Sequence, residues 1–338
     1  MAQDDGINAD LRASQKPSIT VTRRHDRSFR MLLMHTFVRP FKHQIVKLPK
    51  KVFPAGSPQI QCHEKAAKTI ECKERRVDDI YLYDLSSKQE RRREKRPIKR
   101  MYYFCGGGWR SPPSSEHWAL LAEMTNNLPD IAITLVSYPL APNSPAPTTF
   151  PQLMKLYRTV MQDAEAAGEE VILAGDSAGG NIVLCLTVNA LAEDVESGNE
   201  LPCPKAIFAM SPSTDLRRAN PDIKQVEKKD PLLRASFVVD TAKSWRGDWD
   251  PCDVRVSPLY ADVTPLAKRG VKVHGITGRN DVLGPDAILF REKLNQAWVY
   301  GEWLDWDKQM HCFPLAFTFH FPESREGKDW TLDVLKRT

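Results

Sequence analysis

Short apolar runs alternate with longer amphipathic segments along most of the chain. Residues 101–105, 131–138 and 171–174 have the length and the β-branched or aromatic content of buried strands. A segment such as 150–167 places apolar residues three and four positions apart, which predicts a helix with one buried face. Alternating strands and helices are typical of a mostly parallel sheet with helices on both faces. The predicted fold class is therefore α/β.

Two stretches interrupt this alternation. Residues 88–100 are very basic, which favours a solvated hairpin connection between two strands over a nuclear-localisation or anion-binding role. Residues 217–254 are rich in charge and tryptophan and have few strand signals, so we predict a lid insertion there. The remaining predicted strands are 76–85, 206–210, 271–277 and 301–306, and the remaining predicted helices are 118–126, 287–299 and one from about 328.

The N-terminal part differs from the rest of the chain. Residues 1–27 are polar and low in aromatic residues, which predicts disorder. Residues 28–51 place apolar side chains at near-helical spacing among Arg and Lys, and Pro40 is expected to break or kink this helix. A cap over a pocket is favoured over a basic amphipathic helix on a membrane surface, because the proline shortens any continuous apolar face. The predicted domains are a disordered segment 1–27, a cap and linker 28–70, and an α/β domain 71–338.

A strand, a sharp break and a buried helix follow one another in V-I-L-A-G-D-S-A-G-G-N-I-V-L-C-L, residues 171–186. The break fits G-x-S-x-G around Ser177, a pattern that marks a nucleophilic serine only in a strand–turn–helix context. Such a turn lifts the serine hydroxyl above the sheet, and the helix N-terminus directs the Ala178 N–H to the same place. An ordinary Gly/Ser loop is the alternative, and the context favours the nucleophile.

A nucleophilic serine needs a base for its proton and a carboxylate that orients the base. In chains with this turn the order is Ser, then Asp or Glu, then His. Asp281 follows a predicted strand in G-R-N-D-V-L, and His311 follows the last predicted strand in Q-M-H-C-F-P, so these are the candidate acid and base. Asp176 is expected to brace the turn. Structural roles account for the competing candidates, which are Asp286, His117, His274 and His320.

A triglycine at residues 106–108 follows the strand that ends near Cys105. Attack on a carbonyl carbon produces an oxyanion, which preorganised backbone N–H groups stabilise. Glycine leaves room for a substrate to approach such groups, so Gly106, Gly107 and Ala178 are the predicted donors. A plain Gly-rich turn and a phosphate cradle are the alternatives, but G-G-G-W has neither P-loop nor dinucleotide-binding spacing. No cofactor and no metal is predicted.

Composition and charge limit which kinds of partner and which cellular compartment are expected. The net charge of +5 is modest, and the basic residues cluster in two short stretches, which argues against nucleic acid as a partner. Seven cysteines without a C-x-x-C pair are typical of reduced thiols. The N-terminus lacks a signal-peptide pattern and no apolar run approaches a membrane span, so a cytoplasmic protein is expected. The oligomeric state is left open.

Seven motifs occur in order along the chain: the triglycine loop, Y-P-L-A-P-N-S-P-A-P at 138–147, G-D-S-A-G-G-N at 175–181, S-P-S-T-D-L at 211–216, S-P-L-Y-A-D at 257–262, G-R-N-D-V-L at 278–283 and H-C-F-P at 311–314. This set, spread over roughly residues 100–320, resembles the hormone-sensitive-lipase-like group of α/β-hydrolases. The N-terminal F-V-R-P-F-K-H-Q-I-V-K and P-A-G-S-P are similar to fungal members, some of which belong to secondary-metabolite or toxin gene clusters. The group's glycine loop usually begins His-Gly-Gly, and the histidine helps to hold it, whereas this chain has Cys105 there.

The resemblance implies an α/β-hydrolase fold and hydrolysis of a carboxylic ester without a cofactor, through an acyl-enzyme on Ser177. The substrate would be a small-molecule ester of small to medium size and fairly apolar character. A lactonase, thioesterase, amidase or deacetylase would use the same residues, so these activities stay open. The alternative from another class is a non-catalytic receptor of the hydrolase fold, which would not need Ser, Asp and His together.

Overall fold

A computed structural model describes residues 17–47, 51–89 and 98–338. Nine strands of the described residues form one sheet: β1 (Ile19–Arg24), β2 (Ile70–Val77), β3 (Ile80–Ser87), β4 (Lys99–Phe104), β5 (Ile131–Ser137), β6 (Glu170–Asp176), β7 (Ala206–Met210), β8 (Lys272–Gly278) and β9 (Gly301–Trp306). The order across the sheet is β1-β9-β8-β7-β6-β4-β5-β3-β2. Strand β3 is antiparallel to both of its neighbours, β2 and β5, and all other neighbouring strands are parallel.

Helices cover both faces of this sheet. The α-helices of the described residues are α1 (Phe29–Val38), α2 (Lys42–Ile45), α3 (Ser115–Asn127), α4 (Ala146–Ala167), α5 (Ala178–Ser197), α6 (Ile223–Glu227), α7 (Ala235–Arg246), α8 (Thr264–Lys268), α9 (Gly284–Gln296) and α10 (Pro322–Arg337). Helices α4, α5 and α9 bury apolar residues in one core cluster, and α3 and α10 bury theirs in a second. The α/β prediction is therefore confirmed. Within the described ranges, no helix combines the length and the apolar character that a bilayer span requires.

The prediction of disorder over residues 1–27 is wrong for residues 19–24, which form the edge strand β1. This strand pairs in parallel with β9, and Ile19 is buried at its start. The Asn295 side chain accepts a hydrogen bond from the Ile19 N–H at 3.1 Å. The available edge of β9 and one buried isoleucine thus order a segment whose composition is polar. Residues 1–16 lie outside the described residues.

Two further expectations differ from the structure. Residues 76–85, predicted as one strand, contain the turn between β2 and β3, where Asp78 and Asp79 adopt positive φ angles of 47° and 65°. The predicted hairpin connection at residues 88–100 is wrong, because β5 lies between β3 and β4 in the sheet. Most of that basic run, residues 90–97, lies outside the described residues.

The carboxyl ends of the parallel strands lie at one edge of the sheet. Ser177 follows β6, Asp281 lies three residues after β8, and His311 lies five residues after β9. The triglycine at residues 106–108 begins two residues after β4. Since function in open α/β sheets collects at this edge, the topology brings the predicted site residues to one place.

Candidate active site

Ser177 lies in the sharp turn between β6 and α5, with φ of 52° and ψ of −114°. This conformation is strained for a residue with a side chain. A Cβ atom on Gly175 would lie 2.6 Å from the Gly179 backbone, and one on Gly179 would lie 1.8 Å from the carbonyl oxygen of Phe104. The Ser177 N–H donates to the Met210 carbonyl at 2.8 Å. Both motif glycines are thus required by close backbone contacts that hold the serine in its strained turn.

Asp281 and His311 form a hydrogen-bonded pair, in which Oδ2 of Asp281 lies 2.7 Å from Nδ1 of His311. The other Asp281 oxygen accepts the Leu283 N–H at 2.9 Å, and the carboxylate is fully buried. Burial lowers the pKa of His311, but the Asp281 carboxylate, with a smaller effect of Cys312, outweighs burial and raises it well above its usual value. An acceptor on Nδ1 sets the imidazole tautomer and leaves Nε2 for proton transfer.

The Nε2 atom of His311 contacts the Sγ atom of Cys312 at 3.4 Å. Among the described residues, the Ser177 hydroxyl has no hydrogen-bond partner, although Ser177 and His311 line the same cavity. Burial raises the pKa of the Cys312 thiol to about 11, so this neighbour is a neutral thiol near pH 7. Catalytic hydrogen bonds of unliganded enzymes are often long and tighten when substrate binds.

A cavity of about 720 Å³ contains Ser177 and His311 and is lined mainly by apolar side chains. The N-terminal segment contributes Met34, Val38, Ile45 and Val46. The segment predicted as a lid, residues 217–254, contains α6 and α7 and contributes Arg218, Leu232, Leu233, Phe237, Val238 and Thr241. The chain after β9 contributes Met310, Cys312, Leu315, Ala316, Phe319 and Phe321. Chain segments far apart in sequence therefore form the walls.

Asp176 holds the triglycine loop through the Gly106 N–H. This contact contradicts the prediction that Gly106 is an oxyanion donor. The Gly106 N–H donates to Oδ1 of Asp176 at 3.0 Å, and the Tyr103 hydroxyl donates to the same oxygen at 3.1 Å. A Cβ atom on Gly106 would lie 2.3 Å from Oδ2 of Asp176, so this position requires glycine because of the carboxylate. The Gly106 N–H is thus committed to the loop, whereas Gly107 lines the cavity. Asp176 braces the turn as predicted.

His117 completes this brace, a role that the sequence analysis missed. The Ser114 N–H donates to Nδ1 of His117 at 3.0 Å, which places the proton of a neutral imidazole on Nε2. Nε2 then donates to Oδ2 of Asp176 at 3.1 Å. Burial would raise the pKa of Asp176, but His117, the Gly106 N–H and the Tyr103 hydroxyl hold it below its usual value. One signal was present in the sequence: Cys105 stands where the resemblance implies a histidine, so another side chain could have been expected to hold the loop.

Cys105, His117 and Asp176 also place a thiol, an imidazole and a carboxylate within 4.8 Å of one another. A metal would need the lone pair on Nε2 of His117, but the Ser114 N–H directs the proton to that atom. A metal would also need a thiolate, and burial raises the pKa of Cys105 well above its usual value. The donor set therefore fits a hydrogen-bonded brace better than a metal centre.

Asp230 is a second residue that the sequence analysis missed. Its Oδ2 atom accepts the N–H of Val282, the neighbour of Asp281, at 2.9 Å, and its Oδ1 atom accepts the N–H of Leu233 at 2.8 Å. Burial, followed by the charge of Asp281, raises the pKa of Asp230 to about 7. The Lys42 ammonium donates to the backbone carbonyl of Asp230 at 3.3 Å. This one aspartate connects the N-terminal segment, residues 217–254 and the loop of the candidate acid.

His117→Leu is expected to lower kcat by about tenfold to a hundredfold with little change in KM, because a loosened glycine loop stabilises the oxyanion less well. His117→Gln can still donate to Asp176 and should recover most of kcat. Steady-state kinetics on a p-nitrophenyl ester measure both variants, and thermal unfolding checks that they are folded. Equal losses of kcat in His117→Leu and His117→Gln would contradict the role of His117 in holding Asp176 and the glycine loop.

Comparison with known proteins agrees with this architecture. A family model described as alpha/beta hydrolase fold matches residues 101–315. An esterase of Acinetobacter venetianus is 27% identical over 67% of this chain and 71% of its own length, and an acetyl-hydrolase of Streptomyces hygroscopicus is 26% identical over 68% and 71%. Human hormone-sensitive lipase is 29% identical over 43% of this chain and 13% of that protein.

Solved structures give the same fold. An esterase/lipase from an uncultured bacterium superposes with a TM-score of 0.70 at 20% identity, covering 92% of this chain and 98% of that chain. A hormone-sensitive lipase from a metagenome library superposes with a TM-score of 0.67 at 20% identity, covering 92% and 98%. The family model spans well over half of the chain, and the mostly parallel sheet and the strained serine turn agree with that fold. This chain therefore belongs to the α/β-hydrolase fold family, in its hormone-sensitive-lipase-like group.

Proposed function

We propose that this protein hydrolyses carboxylic esters with Ser177 as nucleophile, His311 as general base and Asp281 as the residue that orients His311. One observation carries the proposal: a serine on a strained strand-to-helix turn lines the same cavity as a histidine whose Nδ1 is bonded to a buried carboxylate. The names of two relatives, an esterase and an acetyl-hydrolase, support the same reaction class.

In the proposed reaction, Ser177 Oγ attacks the ester carbonyl carbon while its proton passes to Nε2 of His311. The tetrahedral intermediate collapses, the carbon–oxygen bond to the alcohol breaks, and His311 returns the proton to the leaving alkoxide. Water then attacks the acyl-enzyme by the same two proton transfers and releases the acid and free Ser177. The Ser177 hydroxyl forms no hydrogen bond with Nε2 of His311 among the described residues, so this proposal requires that bond to form when substrate binds.

Two of the three predicted amides remain as oxyanion donors in this proposal. Within the described residues, the N–H groups of Gly107 and Ala178 have no hydrogen-bond acceptor, whereas the Gly106 N–H is bonded to Asp176. Ala178 is also the first residue of α5, where the helix dipole favours negative charge. We therefore propose Gly107 and Ala178 as the donors.

The cavity supports an apolar small-molecule substrate. Its volume of about 720 Å³ falls in the range that holds medium-sized ligands, and apolar side chains make up most of its wall. An ester whose acyl or alcohol part is apolar would bury that part against the N-terminal segment and residues 217–254. Lactone, thioester and amide substrates would meet the same residues, so a set of these compounds with one common acyl group is needed to choose among them. A place in fungal secondary metabolism stays a prediction.

A fluorophosphonate probe tests the proposal directly, because only an activated serine is phosphonylated. We expect one labelled peptide containing Ser177 in the wild-type protein and no labelling of His311→Ala. If the protein were a non-catalytic receptor, its serine would be unreactive, and neither the wild type nor His311→Ala would be labelled. Absence of label in the wild-type protein would therefore overturn the proposal. Binding of an apolar ester without turnover would then favour the receptor.

A further inference from the structure

Helix α1 has an apolar outer face as well as an apolar inner face. On the inner side Met31 is buried and Met34 lines the cavity. On the outer side the side chains of Phe29 and Phe37 are 71% and 68% exposed. A surface helix normally turns polar residues to solvent, so two exposed phenylalanines on one short helix require an explanation.

The exposed apolar residues continue beyond α1. Of the fifteen large apolar side chains that are exposed in the described residues, six lie between residues 29 and 45. Phe319, from the 3₁₀ helix after His311, is also exposed and lines the cavity together with Ile45. We call the following residues the N-terminal apolar surface: Phe29, Leu32, Leu33, Phe37, Phe41, Ile45 and Phe319. This surface therefore adjoins the entrance of the active-site cavity.

The segment that carries this surface is strongly basic. Residues 27–47 contain three arginines, two lysines and no Asp or Glu, and their formal charge of +5 equals that of the whole chain. Arg30 and Lys47 are exposed, and neither forms an ion pair with the described residues. The Lys42 ammonium, by contrast, is bonded within the protein, since it donates to the Glu227 carbonyl at 2.7 Å. Exposed apolar side chains and unneutralised cations thus occur on the same segment.

We propose that the N-terminal apolar surface docks on an anionic lipid surface. Phenylalanine and leucine side chains would enter the boundary between head groups and acyl chains, while Arg30 and Lys47 would contact the anionic head groups. A second copy of the chain is a poorer partner, because a twofold contact would bring two segments of the same charge, +5 each, together. Apolar esters could then enter the cavity directly from the lipid.

Pro40 does not interrupt the N-terminal apolar surface, although a proline at this position was expected to shorten any continuous apolar face. The helix is broken near Pro40: α1 ends at Val38, and a 3₁₀ turn that contains the proline connects it to α2. Phe41 and Ile45, which lie beyond the break, are nevertheless more than half exposed. The bend keeps apolar side chains on the solvent side of the segment, so covering the cavity and docking on lipid are compatible roles.

Vesicle co-sedimentation of the full chain tests the proposal, with Ser177→Ala as the background so that no lipid is hydrolysed. Binding is expected to vesicles of phosphatidylcholine mixed with phosphatidylglycerol, and it should weaken as salt is added. Phe29→Ser/Phe37→Ser should weaken binding by about tenfold or more. Arg30→Gln/Lys47→Gln should remove the preference over pure phosphatidylcholine. Because no turnover is measured, the result is independent of the proposed ester hydrolysis.

The matched control is Val195→Ser/Tyr300→Ser, which removes two apolar side chains, each 63% exposed, from other parts of the molecule. This variant should bind vesicles like the background protein. Equal binding of the phenylalanine and control variants would overturn the proposal. So would a concentration-dependent dimer in size-exclusion chromatography with light scattering that Phe29→Ser/Phe37→Ser abolishes, since it would assign the surface to self-association.

Discussion

Ser177→Ala is expected to lower kcat/KM for p-nitrophenyl butyrate by about 10⁴-fold or more, with the fold intact. The side chain of Ser177 makes no hydrogen bond with the described residues, so its loss removes the nucleophile and little packing. Alanine is smaller than serine, but it still has to adopt the positive φ of 52° that the turn requires. Initial rates give kcat/KM, and circular dichroism with thermal unfolding shows whether the variant is folded.

Cys312→Ala is the control for this experiment. The Cys312 thiol lies 3.4 Å from Nε2 of His311, so it is the other side chain that this histidine could deprotonate. Its raised pKa of about 11 and its burial make it a poor nucleophile, and we expect Cys312→Ala to lose less than about tenfold in kcat/KM. Substantial activity in Ser177→Ala together with a large loss in Cys312→Ala would assign the nucleophile to the thiol.

Asp281→Asn is expected to lower kcat by about 10³- to 10⁴-fold, because the amide no longer holds the productive tautomer of His311 or stabilises its protonated form. The pH dependence should change as well. The Asp281 carboxylate raises the pKa of His311, so removing its charge lowers that pKa. Since the neutral imidazole is the active base, activity rises with pH through this pKa. The acid limb of the kcat/KM profile should therefore move to lower pH in the variant.

Asp286→Asn tests whether Asp281 or its nearest competitor, Asp286, is the carboxylate that orients His311. Asp286 lies in the first turn of α9 and accepts a hydrogen bond from the Asn220 side chain at 2.8 Å, without contact to His311. Burial raises its pKa to about 6. This substitution should change kcat by only a few fold and leave the acid limb in place. A shift of the acid limb in Asp286→Asn, but not in Asp281→Asn, would contradict the assignment of the acid.

The sequence by itself determined the features that depend on short-range residue patterns, namely the serine turn and the alternation of strands and helices. The serine turn is recognisable from residues next to it, because Gly175 and Gly179 lie two positions on either side of Ser177 and a Cβ on either would collide with backbone atoms. Likewise, apolar runs of strand length separated by amphipathic helices were sufficient to predict the α/β fold and its parallel core. Those strands place Ser177, Asp281 and His311 at one edge of the sheet, and the order of the three residues along the chain agrees with that arrangement.

Only the tertiary structure decided which partner each polar group or strand edge finds. The Gly106 N–H donates to one oxygen of Asp176, and Nε2 of His117 donates to the other. Such hydrogen bonds join groups dozens of residues apart, and no spacing rule predicts them. The same reason explains β1, a polar segment ordered by the free edge of β9. A pattern of apolar residues predicts which faces can be buried, but the solvent exposure of α1 depends on how much of it the rest of the fold covers.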